Sequence, residues 1–267
     1  MKKYKIIDAH CHIYPEKIAQ RAVCGTDTFY GAKSLCLGTS DDLLEIGTNA
    51  GIDHFVVQSV ATSPLQVRRI NAFIAQKVSQ SEGKFTGLGT LHPDSCDIDG
   101  DIEDLIELGL KGVKLHPDIQ NFKIDDHRNL TIYEKCEEKN IPILMHTGDK
   151  RFDNSNPNRL LPVMQIYTGL TVVAAHLGGW SVWESAAKLL PDLENLYFDC
   201  SSCFEFTDKQ NIKNLIQLYT TDKVLFGTDY PMFKPEKEIE NLLSLGFSDD
   251  DYEKIFSLNA KKVFNIK

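Results

Sequence analysis

The chain has 267 residues, of which 42% are hydrophobic and 25% are charged, and this composition is typical of a globular protein with a sizeable core. Its 29 Lys and Arg residues are outnumbered by 38 Asp and Glu residues, so the formal net charge is −9. An acidic chain without a basic stripe is a poor candidate for binding nucleic acid or an anionic membrane surface. The net charge says little about a small-molecule substrate, because the charge of a pocket is local.

The targeting and cysteine patterns predict a cytoplasmic protein. The basic segment 1–5 is followed at once by Asp8 and His10 rather than by an apolar segment, so it does not read as a signal peptide. No stretch reaches the roughly 18 apolar residues that span a bilayer. The seven cysteines are odd in number and scattered, as expected for reduced thiols in a cytosol.

Eight short runs of apolar and β-branched residues predict strands. Most of them are bounded by Gly, Pro, Asp or Asn, which is typical of strands that are buried on both faces. The runs cover residues 5–13, 54–60, 85–92, 112–116, 141–147, 171–177, 196–202 and 223–230.

Helical patterns separate and follow these runs. Residues 64–81, for example, repeat apolar side chains at a spacing close to 3.6. The predicted helices cover residues 40–50, 64–81, 100–108, 127–139, 158–167, 181–190, 208–219, 236–245 and 248–264. Strict alternation of strand and helix favours a parallel sheet.

Eight strand–helix units in about 250 residues predict an α/β fold, a single (β/α)8 TIM barrel that spans residues 1–267 as one domain. An open doubly wound sheet is the alternative, but no Gly-x-Gly-x-x-Gly follows the first strand. The connection 14–39 is predicted to be irregular. Within it, residues 23–37 are a hypothetical lid over a substrate.

The chain's first strand ends in His10-Cys11-His12. Residues two apart on a strand point to the same side, so the two imidazoles form a plausible half of a metal site. The alternative interpretation is a solvated turn near a flexible terminus. Whether the site is completed depends on other strands.

Polar side chains collect at the predicted strand ends, where barrel enzymes carry their functional groups. Six of the eight histidines lie there, and only His54 and His127 do not. Lys114 and Asp229 lie at strand ends as well. The six histidines are His10, His12, His92, His116, His146 and His176.

Each later member of this set has a structural alternative. His92 and His116 precede prolines and could cap loops. His146 and His176 follow apolar runs and could be hydrogen-bonded core residues. Asp229 could cap the turn that follows it.

The residue types nevertheless suit a metal centre. Neutral imidazoles and one carboxylate are ligands that Zn²⁺ or a similar divalent ion prefers. Three His and one Asp leave a position for water, whose pKa can fall to about 7 on the metal. A further histidine off the metal can move a proton or polarise a carbonyl.

The combination of motifs resembles the amidohydrolase superfamily of metal-dependent barrel enzymes. It is most similar to the branch of aminocarboxymuconate-semialdehyde decarboxylase-like enzymes and uncharacterised predicted metal-dependent hydrolases. The resemblance rests on 8–12 (DAHCH), 112–117 (GVKLHP), His146, His176, 226–231 (FGTDYP) and 255–260 (IFSLNA).

The resemblance implies a role for each of these residues. With one metal, for which zinc is the predicted ion, His10, His12, His146 and Asp229 would hold the ion and His176 would act as the acid/base. With two metals, a carboxylated Lys114 would bridge the ions, and His146 and His176 would serve the second ion. Lys114 could instead bind a substrate anion, and His116 is a further candidate for substrate or second-metal binding. The single-metal arrangement is favoured, because 114–117 (KLHP) resembles the single-metal branch.

Two reactions follow from such a site. The favoured prediction is hydrolysis of an amide, ester or lactone-type bond in a small molecule, with His176 and Asp229 as catalytic residues. The alternative is non-oxidative decarboxylation of an aromatic or unsaturated carboxylate. That reaction would need a cationic clamp, for which the candidates are Arg68, Arg69, Arg151 and Arg159, with Arg151 the most interesting. A barrel that binds without turnover is a third reading, and related barrels often form homodimers.

Overall fold

The protein forms a closed barrel of parallel strands, seen in a computed structural model that describes residues 3–267. The strands are short because only their central residues pair on both sides. They are β1 (Ile7–His12), β2 (His54–Gln58), β3 (Phe85–Gly87), β4 (Gly89–Thr90), β5 (Val113–Leu115), β6 (Ile143–Met145), β7 (Val172–Ala174), β8 (Leu196–Asp199) and β9 (Val224–Leu225). Each lies inside one of the eight predicted runs.

Two sheets join end to end to close the barrel. One sheet has the order β1-β2-β3 and the other runs from β4 to β9, all in parallel register. Strands β3 and β4 are halves of one barrel strand, and between them the Leu88 amide donates to the Val57 carbonyl at 2.9 Å. At the other junction, between β9 and β1, the Ala9 amide donates to the Phe226 carbonyl at 2.9 Å. Cys11 and Tyr230 also pair there in an isolated parallel β-bridge. The predicted (β/α)8 barrel is therefore confirmed.

Twelve α-helices surround the described part of the barrel, with 3₁₀ turns at Pro64–Gln66 and His127–Asn129 and a π-helical turn at Lys254–Leu258. None of the helices in residues 3–267 has the length and apolar character needed to cross a bilayer. The helices are α1 (Glu16–Tyr30), α2 (Ser40–Ala50), α3 (Val67–Gln80), α4 (Ile98–Glu107), α5 (Pro117–Gln120), α6 (Leu130–Glu138), α7 (Pro157–Ile166), α8 (Trp183–Leu189), α9 (Lys209–Tyr219), α10 (Pro235–Leu243), α11 (Asp249–Glu253) and α12 (Asn259–Phe264).

The irregular connection predicted for 14–39 is wrong, because most of it is the 15-residue helix α1. Only Ala19 of this helix is fully buried, so its sequence lacks the apolar stripe of a core helix. Its inner face borders a cavity instead of the core. The helix ends where Gly31, at φ 64°, adopts the left-handed conformation and donates to the Asp27 carbonyl.

A bulge in β1 turns both of its histidines towards the barrel interior. The buried apolar side chains of residues 3–267 form two clusters, one inside the barrel and one between the sheet and the helices. Ile7 and Ala9 belong to the inner cluster, whereas Cys11 belongs to the outer one. The change of side coincides with a register shift between Asp8 and Cys11. An extra residue in a strand re-aims the side chains after it, so His10 and His12 face inward above the packed barrel floor.

Buried Glu238 on α10 predicts a pH effect on stability. Its side chain is 2% exposed, and burial followed by the nearby carboxylates raises its pKa to about 8, although Asn241 donates to it at 3.2 Å. The folded protein therefore holds this proton more tightly than the unfolded chain does. Stability from the protonated group is fully present below pH 4.5 and is lost as the pH rises towards 8.

Replacing Glu238 by Gln is expected to remove this loss. The variant should exceed the parent in free energy of unfolding by roughly 2–4 kcal/mol at pH 8.5, with the difference vanishing near pH 4.5. Urea denaturation at the two pH values measures both quantities. If the variant and the parent differed in free energy of unfolding by the same amount at pH 4.5 and pH 8.5, the Glu238 carboxyl would not titrate between these two pH values.

Candidate metal centre

Three side chains from opposite ends of the sequence converge at the carboxyl end of the barrel. Nε2 of His10 lies 3.2 Å from Nε2 of His12 and 3.3 Å from Oδ1 of Asp229. Nε2 of His12 lies 3.6 Å from the same carboxylate oxygen. One donor atom from each residue thus lies within 4.8 Å of the others, which is compact enough for one ion.

A second layer of carboxylates holds these ligand candidates in place. Asp199 at the end of β8 bonds Nδ1 of His10 at 2.9 Å, which leaves Nε2 of that ring with a lone pair for the site. Ser202 donates to Asp229 at 2.6 Å. Asp8 accepts from both the amide and the hydroxyl of Thr228, at 3.0 and 2.6 Å, and so ties β1 to the loop that carries Asp229.

His176 and His146 are adjacent to one another and deeply buried. Nε2 of His176 lies 3.1 Å from Nδ1 of His146, and Nδ1 of His176 lies 3.1 Å from the Ser201 carbonyl. Because a carbonyl only accepts, His176 carries its proton on Nδ1 in the neutral ring and keeps Nε2 as the basic atom. Its ring stacks on that of His10 at 5.2 Å, so it borders the convergent site.

His146 does not join the other three predicted ligands in one cluster among the described residues. Instead it groups with His116, on which it stacks at 4.0 Å, and with Asp118, whose Oδ2 lies 3.7 Å from its Nε2. Nε2 of His146 is buried and has no hydrogen-bond partner in residues 3–267. A buried imidazole nitrogen without a hydrogen-bond partner offers a lone pair that a metal ion or a proton could bind.

His116 both caps a helix and contacts the site, so the two interpretations of this residue are compatible. Its Nδ1 accepts from the Ile119 amide at 3.3 Å at the start of α5. Its Nε2 bonds the Tyr30 hydroxyl at 2.7 Å, which places the last residue of α1 over the histidine cluster. The hypothetical lid therefore contributes a helix end to the site.

Lys114 projects from β5 into the centre. It is fully buried, and its Nζ lies 3.1 Å from Nε2 of His10. Burial lowers the pKa of Lys114 to about 8, against the opposing pull of Asp229 and Asp199. A buried lysine with a lowered pKa is compatible with either carboxylation or anion binding.

The protonation states also suit a cation. Burial lowers the pKa values of His12, His146 and His176, so these rings are neutral at neutral pH. Burial alone would raise the pKa of Asp229, but the surrounding imidazoles and the Ser202 hydroxyl outweigh it and hold the pKa below its usual range. Neutral imidazoles around an ionised carboxylate are the forms that bind a divalent metal.

Two site residues have strained backbones. His176 and Asp229 adopt φ angles of 59° and 55°, a left-handed region that is uncommon for residues other than glycine. Both lie in the segments that follow their strands, His176 two residues after β7 and Asp229 four residues after β9. Such strain persists only where surrounding contacts enforce it, and it clusters at functional sites.

Two residues singled out in the sequence, His92 and Arg151, have structural roles away from the His10–His12–Asp229 cluster. Nδ1 of His92 accepts from the Asp94 amide, so this histidine caps its own loop. Arg151 is already paired with Asp149 at 2.6 Å and donates to the Phe29 carbonyl at 2.6 Å. Its guanidinium therefore holds the end of α1 against the barrel. These contacts do not support its predicted role in binding a substrate carboxylate.

Four further residues of the site were not predicted from the sequence: Asp199, Asp118, Ser201 and Tyr30. Asp199 ends the seventh predicted run, and reading that strand end like the others would have found it. Asp118 and Tyr30 lie in helices that were not predicted, so no strand-end rule could place them.

The convergent side chains open into a cavity of about 590 Å³, which is lined by the length of α1 and by the first two turns of α3. Its size lies within the range of about 300–1,000 Å³ that is typical of sites for small organic ligands. The chemical groups of the centre lie at its inner end.

The sequence is similar to a known family and to a known decarboxylase. The sequence profile described as Amidohydrolase matches residues 7–266. A 2-amino-3-carboxymuconate-6-semialdehyde decarboxylase from Dictyostelium discoideum is 25% identical over 239 residues, which cover 72% of this chain and only 64% of that protein. The chain therefore spans less than two thirds of this relative's length.

Two solved structures share the fold. An uncharacterised TIM-barrel protein from Bordetella bronchiseptica superimposes with a TM-score of 0.81 at 22% identity, covering 98% of both chains. A dihydroxybenzoic acid decarboxylase from Polaromonas, solved with bound manganese, superimposes with a TM-score of 0.77 at 16% identity, covering 98% of this chain and 97% of that one. Since the profile covers nearly all of the sequence, the chain belongs to the amidohydrolase family.

Proposed function

We propose that the protein is a metal-dependent carboxy-lyase that releases CO₂ from an aromatic or unsaturated carboxylate. The observation that carries this proposal is the His10–His12–Asp229 cluster, with the basic nitrogen of His176 beside it. Two of the similar proteins support the choice of reaction, because the Dictyostelium discoideum relative and the Polaromonas protein are decarboxylases. Hydrolysis, which the sequence favoured, becomes the alternative reaction of the same centre.

In this proposal His10, His12 and Asp229 hold one divalent ion, manganese or zinc. His146 would complete the set through its orphaned Nε2, provided that its ring moves towards the other three. When bound, the ion would orient the substrate and neutralise part of its negative charge. Asp199 fixes the ring of His10, and its loss would loosen the ligand set.

His176 supplies the proton that replaces the carboxyl group. Nε2, which is unprotonated in the neutral ring, first takes up a proton from solvent and then passes it to the unsaturated carbon that bears the carboxylate. The bond from that carbon to the carboxylate then breaks, its electron pair restores the unsaturated system, and CO₂ leaves. His146, whose Nδ1 lies 3.1 Å from Nε2 of His176, is positioned to share and return the proton.

The reaction is tested by screening a panel of hydroxybenzoates and unsaturated dicarboxylates for CO₂ release with the metal-loaded protein. Lactone and amide substrates of similar size form the parallel arm. We expect CO₂ from at least one carboxylate and no hydrolysis. Hydrolysis without CO₂ release would overturn the lyase proposal and restore the hydrolase prediction.

A further inference from the structure

The cavity above the centre has an unusual charge for so acidic a chain. Although the net charge is −9, the lysine and arginine side chains that line the cavity number three, against one carboxylate. The cations are Lys17, Arg69 and Lys114, and the carboxylate is Asp229, which the metal centre uses. The outer part of the cavity therefore carries positive charge without a compensating acid in its lining.

Arg69 is the more distinctive of the two outer cations. It lies in the first turn of α3 and is exposed, and its side chain makes no ion pair or hydrogen bond with any part of residues 3–267. Its neighbour Arg68 points the other way, and its Nε lies 3.1 Å from carboxylate oxygens of both Asp101 and Asp104. One arginine of the pair thus has a structural role, and the other is left free at the cavity.

Lys17 faces the same opening from the first turn of α1. The neighbouring residue Glu16 forms an ion pair with Lys77 of α3 at 3.1 Å. Its carboxylate therefore does not neutralise Lys17. That ion pair also joins α1 to α3 beside the opening. The two helices thus present one cation each to the space between them.

Between this opening and the metal centre the wall is mainly apolar. Ile18 and Phe29 line it from α1, and Ile70 and Phe73 line it from α3. A ligand that filled the cavity would place an apolar body against these side chains. Its two ends would meet the metal centre and the outer cations.

From this arrangement we propose that Arg69, assisted by Lys17, binds a second anionic group of the substrate at the cavity opening. The substrate class is an unsaturated carboxylate whose apolar body carries a distal carboxylate, phosphate or sulfate. The inference rests on the proposed function for the identity of the inner, reacting carboxylate. Arg69 would set specificity and would take no part in the bond-breaking step.

Binding of two matched probes tests this without turnover. Calorimetric titration of the metal-loaded protein with biphenyl-4-carboxylate and biphenyl-4,4′-dicarboxylate gives the preference for a distal anion. Arg69→Gln should weaken the dicarboxylate about tenfold and leave the monocarboxylate within about twofold. Arg68→Gln is the matched control and should change neither affinity.

Charge reversal supplies the second arm. Arg69→Glu should reverse the preference, so that 4′-aminomethylbiphenyl-4-carboxylate binds more tightly than the dicarboxylate. An unchanged ratio of the two carboxylate affinities in both Arg69 variants would overturn the inference, whatever the CO₂ assay shows. A changed ratio with no CO₂ release from any carboxylate would uphold the anion site and contradict only the lyase reaction.

Discussion

Replacing His176 by Asn is expected to lower kcat by about 10²–10⁴-fold while the metal stays bound. The amide can still form hydrogen bonds, but it cannot take up and pass on a proton as the basic Nε2 beside His146 can. Because His176 lies outside the His10–His12–Asp229 cluster, its loss leaves those donors in place. Turnover on the best carboxylate and metal content by elemental analysis measure the two effects.

His92→Asn is the matched control for this variant. His92 is also a buried strand-end histidine, but its Nδ1 serves only the loop at Asp94. The control should retain parental kcat per folded molecule. If His176→Asn lost its metal, His176 would be a ligand and the assignment of one ion with a separate proton donor would be contradicted.

Replacing Asp229 by Ala is expected to abolish stable metal binding. The carboxylate is the only anion in the three-residue cluster, and it lies 3.3 and 3.6 Å from the two imidazoles. Changes to residues that merely support ligands cost about 10–100-fold in metal affinity, so loss of this ligand should cost more than 100-fold. Competition with a chelator of known affinity measures it.

Asp94→Ala is the corresponding control. Asp94 also follows a strand, but it pairs with Arg128 at the surface and belongs to no group of potential metal ligands among the described residues. Its replacement should leave metal affinity unchanged. Equal metal binding by Asp229→Ala and the parent would place the ion elsewhere, for example with His116, Asp118 and His146.

The barrel and most of its site could be predicted because strand ends have a simple physical meaning. Parallel strands in a closed barrel bring their carboxyl ends to one face, so His10, His176 and Asp229 had to meet once the eight strands were recognised. The bulge in β1 could not be read from the sequence, yet it decides that His10 and His12 face inward.

Helix α1 shows why the remainder was not predictable. Its inner face lines a cavity, so its sequence lacks the apolar stripe that marks a core helix. The contact of Tyr30 with His116 and the fastening of α1 by Arg151 depend on that helix. Side-chain positions at the centre are equally non-local, since His146 groups with His116 and Asp118 rather than with His10, His12 and Asp229.

The metal content of freshly purified protein tests the proposed centre most directly. Elemental analysis should give about one equivalent of a divalent metal per chain, with Lys114 unmodified in the intact mass spectrum. No bound metal, with none taken up on addition of manganese or zinc, would contradict a metal centre at His10, His12 and Asp229. Two equivalents, bridged by a carboxylated Lys114, would contradict the single-ion centre and the role of His176 as a free proton donor.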